Sequence, residues 1–313
     1  MNRTTVFARS IIKPLNMCYL EAILEFINKL NQIPSPTDGE EKLIEYITRL
    51  CKDESVAVKS IMPKSFLKVA PILIGNPDAK YIFVTHCDRV QENANPLKVW
   101  NNNIQNVEGK LDNAVSLAVC LKLVLALKPQ NSALLITTSE EGKLNPQIVG
   151  ADPLQKTGGR GFISYLIDNL QFVKDKYFIC LDVRPLDRGG VLKTGEKKKY
   201  INLGDGLVLR TSEERENVSI SADTILLNII KQCALHNDIN LTEFAGSGIT
   251  ELGRGFERVL QPIGYPRHDY HIAWVQPPLT HYHTQFEQMS GNDIIDLCKV
   301  VKRLCEIFEN FSV

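Results

Sequence analysis

Ala133-Leu134-Leu135-Ile136-Thr137-Thr138-Ser139-Glu140-Glu141-Gly142 decides how the chain is read. Its first half is apolar and lacks the polar alternation of a half-exposed strand, so it predicts a strand covered on both faces. Its second half sets two carboxylates side by side where that strand ends. Like charges this close make each other harder to ionise unless a cation or a proton relieves them. Two readings are open at this point. Either both glutamates point into water, or one is bonded to a metal and the other moves protons.

Outward from this stretch the same pattern recurs. Residues 81–85 form an apolar run entering His86-Cys87-Asp88, and residues 177–181 another entering Asp182. A period of two puts His86 and Asp88 on one face and Cys87 on the other. A histidine with a nearby carboxylate is a common metal ligand with its orienting partner. Further strands are expected at 69–74, around 207–210, and at 259–263 and 272–275. Helical periodicity occupies 19–30, a stretch from Asp38-Gly39-Glu40 through Leu50, then 113–127, 161–170, 222–235 and 292–308. Pro34-Ser35-Pro36 separates the first two helices. Short apolar strands interleaved with helices predict an α/β protein, a three-layer α/β/α sandwich around a central mixed, mostly parallel sheet.

The composition is that of a soluble globular protein. Of 313 residues, 44% are hydrophobic and 23% charged, enough for one large core. Lys plus Arg and Asp plus Glu both number 36, so no net charge draws the chain to nucleic acid or to an acidic membrane surface. No apolar stretch has bilayer length. Residues 1–18 read as an N-terminal arm, with Met17 an alternative start, because they lack the apolar core and small-residue cleavage site of a signal peptide. The eight cysteines form no CxxC pair, which predicts a reduced, cytoplasmic chain. Lys197-Lys198-Lys199 reads as a solvated hairpin tip.

In open α/β sheets, ligand sites gather at the carboxyl ends of the strands. His86, Asp88, Glu140, Glu141 and Asp182 all fall at such ends. Asp112, in Gly109-Lys110-Leu111-Asp112-Asn113, starts a helix that faces the same rim, where an ordinary N-cap is the competing reading. His281-Tyr282-His283-Thr284-Gln285-Phe286-Glu287 adds two histidines, either of which is a ligand or a loop residue. The set suits two divalent metal ions with a bridging aspartate. Zinc is the default, and manganese or cobalt would accept the same donors.

The order His-x-Asp, Gly-Lys-x-Asp-Asn, Glu-Glu-Gly, strand-end Asp, His-Thr-x-x-Glu resembles the co-catalytic zinc exopeptidase clan of aminopeptidases, carboxypeptidases, dipeptidases and deacylases. Ile33-Pro34-Ser35-Pro36-Thr37-Asp38-Gly39-Glu40-Glu41 is similar to the clan's N-terminal segment. Gly-Lys-Leu-Asp-Asn and Leu203-Gly204-Asp205-Gly206 resemble the deblocking and glutamyl aminopeptidases most. The resemblance implies that His86 and Asp182 bind one metal and Glu141 and His283 the other. It further implies that Asp112 bridges them ahead of a cis peptide to Asn113, that Asp88 orients His86, and that Glu140 is the general base. His283 is preferred to His281 because Thr284 and Glu287 complete the clan's pattern.

The implied activity is metal-dependent hydrolysis of peptide bonds, an aminopeptidase on short peptides. The alternatives are a deacylase, dipeptidase or carboxypeptidase-like amidohydrolase, with N-acyl amino acids among its substrates, and an inactive binding protein on the same scaffold. A carboxylate-recognising relative needs a cation, for which Arg160, Arg184, Arg254 and Arg267 are available. The chain also departs from the clan. The short interval 89–111 leaves no room for an inserted lid, so 19–313 is expected to be a single catalytic domain, its oligomeric state open. Residues 143–157 form an extra loop, and Gly248-Ile249-Thr250-Glu251 stands where aminopeptidases have Gly-Thr-Asp. Glu251 there either meets a substrate amine or caps a helix.

Overall fold

The computed structural model describes residues 17–62, 67–90, 97–100, 106–141, 158–186, 191–194, 197–215, 218–247 and 249–310, and among these seven helices alternate with a set of mostly short strands. The expected arm up to residue 16 and the 143–157 loop lie outside the described residues. The helices are α1 (Met17–Asn31), α2 (Glu41–Asp53), α3 (Ala114–Leu127), α4 (Arg160–Asn169), α5 (Thr224–His236), the short α6 (Glu251–Gly255) and α7 (Gly291–Asn310). The strands are β1 (Val58–Ser60), β2 (Ile72–Gly75), β3 (Tyr81–His86), β4 (Lys98–Trp100), β5 (Asn106–Gly109), β6 (Ser132–Thr137), β7 (Tyr177–Leu181) and β8 (Arg184–Pro185). They continue as β9 (Val191–Thr194), β10 (Lys197–Tyr200), β11 (Leu207–Arg215), β12 (Val218–Ser221), β13 (Leu241–Ser247), β14 (His271–Gln276), β15 (Pro278–Leu279) and β16 (Glu287–Ser290).

The central sheet is mixed, with β6, β3, β7 and β14 parallel in its middle. Beyond β6 lie β2 and then β1, each antiparallel to its neighbour. On the other side β11 runs antiparallel to β14 and carries β13 parallel on its far edge. Past a register shift between Arg210 and Ser212, the rest of β11 pairs with β12. Strand residues alternate between two cores. Phe83, Leu134, Ile136, Leu181 and Val275 pack with α1, α2, α3, α5 and α7 through side chains such as Ile23, Ile47, Leu121, Ile230 and Val301. Ile82, Val84, Leu135, Phe178 and Trp274 pack on the opposite face with Phe162, Leu166, Leu252 and Leu260. Cover on both faces explains why these strands are apolar at every position. Each fully buried aliphatic or aromatic side chain contributes roughly 1.5–3 kcal/mol through its removal from water.

Two expectations are corrected. Residues 259–263 are helical, a π turn at Phe256–Leu260 continuing into a 3-10 turn at Gln261–Ile263. Phe256 and Leu260, four apart, bury one face under Tyr270 while Ile263 stays 57% exposed, so the apolar run follows helical and not strand spacing. Lys197, Lys198 and Lys199 lie within β10, paired antiparallel with β9, and not at the hairpin tip. Strands β1, β4, β5, β8, β12, β13, β15 and β16 were not anticipated. Of these, β16, β5 and β4 form a small separate sheet that matters for the site. No described helix is long and apolar enough to cross a membrane. Cys51, Cys87, Cys120, Cys180, Cys233, Cys298 and Cys305 are free and buried.

Candidate metal centre

The parallel register brings strand ends together. His86, last in β3, pairs with Thr137, last in β6, and Glu140 and Glu141 follow just beyond. Asp182 is the first residue past β7. The Asn113 amide donates to Thr85 Oγ1 (2.9 Å) and to the Leu181 carbonyl (2.6 Å), which pins the start of α3 between β3 and β7. Asp112 is thereby held over the rim, and the Asp112–Asn113 peptide is cis, as the resemblance implied. Pairing of β16 with β5 sets Glu287 opposite Gly109, bringing the His283 loop to Asp112. Glu287 fastens this junction by accepting from the backbone N–H groups of Leu111 (2.7 Å), Asp112 (3.0 Å) and His283 (2.9 Å).

The result is a compact donor set. His86 Nε2 lies 3.4 Å from Asp112 Oδ1 and 3.6 Å from Asp182 Oδ1. His283 Nε2 lies 3.1 Å from Glu141 Oε2 and 3.6 Å from Asp112 Oδ2. His86, Asp112 and Asp182 thus offer one cation-sized cluster of ligand atoms, and Asp112, Glu141 and His283 another, with Asp112 common to both. His86, Glu140 and Glu141 make a third grouping. Asp112 is only 5% exposed, and among the described residues neither of its carboxylate oxygens receives a hydrogen bond. The N-cap reading of Asp112 therefore fails: Asn113 holds the cap position of α3, and no side chain caps it. A buried carboxylate with both oxygens orphaned, each facing a different histidine, fits a pair of bridged cations.

Asp88 lies against His86 and has further partners besides. His86 Nδ1 is nearer the Asp88 carbonyl (3.1 Å) than its carboxylate (3.5 Å). The carboxylate also accepts the backbone N–H groups of Glu140 (2.9 Å) and Glu141 (3.0 Å) and the Thr37 hydroxyl (2.9 Å). Ser139, with φ of 57°, turns the chain so that the two glutamates enter the site. That turn is held by Glu40, which accepts the Ser139 N–H (2.9 Å), and by Asp38, which accepts its hydroxyl (2.9 Å). The Thr37-Asp38-Gly39-Glu40 segment is therefore part of the scaffold under the glutamate pair.

The electrostatics agree with a site short of positive charge. Burial, and next the charge of Glu141, push Asp112 up to about 8. Burial and then Glu140 raise Glu141 to about 8. Glu140 is also raised by burial, against the pull of Arg254 and His86. Burial disfavours a charged His86 ring, but contacts with Asp112, Asp182 and Asp88 overcome this and hold it protonated well above its ordinary range. Protons here do the neutralising work a metal would do. Glu140 and Glu141 are half-buried and face the donor set, so they do not simply point into water.

Other expected residues fall on both sides of the ledger. His283 is in the centre, whereas His281 is exposed. Glu251 is buried and reaches Thr137 Oγ1 at 2.5 Å; Thr250 is the cap of α6, so Glu251 is not. Burial raises Glu251 to about 8. Sequence reasoning missed the roles of Thr37 and Tyr282. Tyr282 stacks on His283 at 3.6 Å between ring centroids, with no local pattern to announce it. Glu287 was visible only as the last letter of a motif.

Neither a family model nor a curated protein matches the sequence. Solved structures do match the fold. The TET1 peptidase of Pyrococcus horikoshii, which assembles into a tetrahedron or a large octahedral shell, is 14% identical with a TM-score of 0.63, over 90% of this chain and 99% of that one. An aminopeptidase of Desulfurococcus kamchatkensis gives 13% identity and a TM-score of 0.62 over 94% and 99%. Yeast aminopeptidase 1 gives 8% and 0.61 over 93% and 98%. The chain thus has the fold of the co-catalytic zinc exopeptidases, which the order of its motifs anticipated.

Proposed function

We propose that the chain is a metal-dependent hydrolase of peptide bonds, an aminopeptidase on short peptides. In this reading His86 and Asp182 hold one divalent metal, Glu141 and His283 a second, and Asp112 lies between them. Residues 19–313 act as a single catalytic domain. The observation that carries the proposal is Asp112, a buried carboxylate shared by two donor clusters with both oxygens left without a hydrogen bond. The aminopeptidase names of the structures that share the fold support it. Zinc is the first choice for the donor set, and manganese or cobalt would also suit it.

Bound divalent metals would supply Lewis acidity toward a water and the scissile carbonyl. The protein's own part follows from its geometry. Glu287 and Asn113 fix Asp112, and Asp88 fixes the backbone of both glutamates, so the donors are held before any substrate arrives. Glu140 belongs to the grouping with His86 and Glu141 but not to either cluster around Asp112, which leaves its carboxylate free to move protons. Burial holds the Glu140 carboxyl above its ordinary range, which suits a group that takes a proton from water and hands it to the leaving amine nitrogen. Asp112 and Glu141 must lose their protons before a metal is held, so loading releases protons.

Metal analysis of the purified protein together with Glu140→Gln tests the proposal. The expected result is a restorable divalent metal in both proteins and a loss of roughly 10²–10⁴-fold in peptide turnover in the variant. Near-normal turnover by Glu140→Gln would remove Glu140 from its role. Absence of any metal that can be restored would favour an inactive scaffold.

A further inference from the structure

The sequence offers Arg160, Arg184, Arg254 and Arg267 as cations that could meet a substrate, and the structure separates them. Arg160 donates to both carboxylate oxygens of Asp38 (2.9 and 3.0 Å). Arg254 donates to the Glu140 carbonyl (3.3 Å), and Arg267 to Ser221 Oγ at an exposed position (3.2 Å). Arg184 differs from these. Its guanidinium lies 4.0 Å from the centre of the Phe244 ring, and its Nε is buried with no hydrogen-bond partner among the described residues.

Its place is fixed by the backbone. Arg184 stands two residues past Asp182, donates its N–H to the Pro277 carbonyl (2.8 Å), and pairs with Pro278 where β8 meets β15. The same segment continues to Tyr282 and His283, so Arg184 is held on the rim beside the metal centre. The neighbouring cation Arg210 is itself engaged by Glu213 (3.3 Å) and by the carbonyls of Ser212 and Gly246. An arginine side chain stays charged at neutral pH. The Tyr282 phenol is near enough to feel both Arg184 and the acids Asp112, Glu141, Asp182 and Glu140. Adjacent to Arg184, Gln276 donates to the Val183 carbonyl (3.1 Å) while its own carbonyl oxygen is buried and unpartnered.

A largely buried guanidinium beside another cation, with an aromatic face beneath it and no carboxylate across from it among the described residues, has there no partner of the kind a buried charge normally requires. Arginine presents a planar fork matched to a carboxylate, and stacking on Phe244 holds that plane in one orientation. We propose that Arg184 receives a carboxylate of the substrate while the scissile bond lies at the metal centre. The substrates are then short peptides that bear a carboxylate within reach, either on an acidic side chain or at the C-terminus. This rests on the reading of the centre as a hydrolase site, and it adds the substrate class.

The test is peptide binding by calorimetry to the metal-loaded Glu140→Gln protein, with turnover by the wild-type protein measured alongside. The probes are Ala-Ala-Ala, its C-terminal amide, and Glu-Ala-Ala amide. A terminal-carboxylate site favours the first over the second, and an acidic side-chain site favours the third over the second. Either preference is expected at about 10- to 100-fold, the range of a charge-assisted hydrogen bond. Arg184→Met in the same background should abolish that preference while binding the neutral amide as before, and Arg184→Lys should restore part of it. Equal binding of all three peptides, or a preference that persists in Arg184→Met, overturns the proposal. It is equally overturned if no probe binds. Carboxylate-dependent binding without turnover by the wild-type protein would instead refute the hydrolase reading and leave Arg184 in place. The comparison of free and amidated peptides on unmutated Arg184 needs no variant of that residue to fold.

Discussion

Asp112→Asn is expected to make the metal-free protein more stable at high pH and to remove the stabilisation that metal gives, so that metal reverses the order of the two proteins. The side chain keeps its shape but loses its charge. In the wild type that charge is buried, faces Glu141 and Asp182, and has no hydrogen bond to either oxygen. Its ionisation is displaced from the ordinary 3.8 to about 8. Between those values the folded state binds a proton that the unfolded chain does not, so stability falls as pH rises through this window. One unit of displacement corresponds to about 1.4 kcal/mol, and after relaxation and coupling among the neighbouring acids the net cost at pH 9 is on the order of 2–4 kcal/mol.

Thermal unfolding of metal-free protein at pH 5 and pH 9 measures this cost. At pH 9 the variant should melt roughly 4–8 °C above the wild type, and at pH 5, low in that window, the difference should shrink to about a third of this. Saturating metal at about 100 times its Kd should raise the wild type by about 2.7 kcal/mol. The variant, without its shared ligand, should gain far less. A metal-free variant less stable than wild type at pH 9, or a variant that gains as much from metal, would refute the account of Asp112 as a charge held for a cation.

Metal binding itself should strengthen from pH 6 to pH 9, because the protons on Asp112 and Glu141, both about 8, must leave first. Calorimetry in two buffers of different ionisation enthalpy should register that proton release, and buffer-independent heats would count against it. Glu287→Gln, which weakens three backbone contacts joining Asp112 to His283, should lower metal affinity by roughly 10–100-fold in a competition titration. Thr250→Val leaves the buried Trp274 indole N–H without its acceptor at 2.9 Å and removes the cap of α6. It should cost roughly 2–4 kcal/mol in chemical denaturation, the sum of a lost buried hydrogen bond and a lost cap.

What the sequence determined by itself is local. Continuous apolar runs at β3, β6 and β7 announced strands covered on both faces, and the acids and histidine at their ends announced the rim where a site would form. The order of the motifs was enough to anticipate the fold. The run at 259–263 was misread because a few apolar residues fit either period until a neighbour shows which face is buried. Only the tertiary structure showed that Asn113 and not Asp112 holds the cap position of α3, that His281 is exposed while the motif-preferred His283 meets Glu141, and which partners each of the several arginines has. Those outcomes depend on partners far along the chain, as when Glu287 meets the N–H of Leu111 or His283 meets Glu141. Hydrogen bonds and charges act over a few ångströms in space, and residues this distant in sequence come within that range only once the sheet and its small satellite have formed.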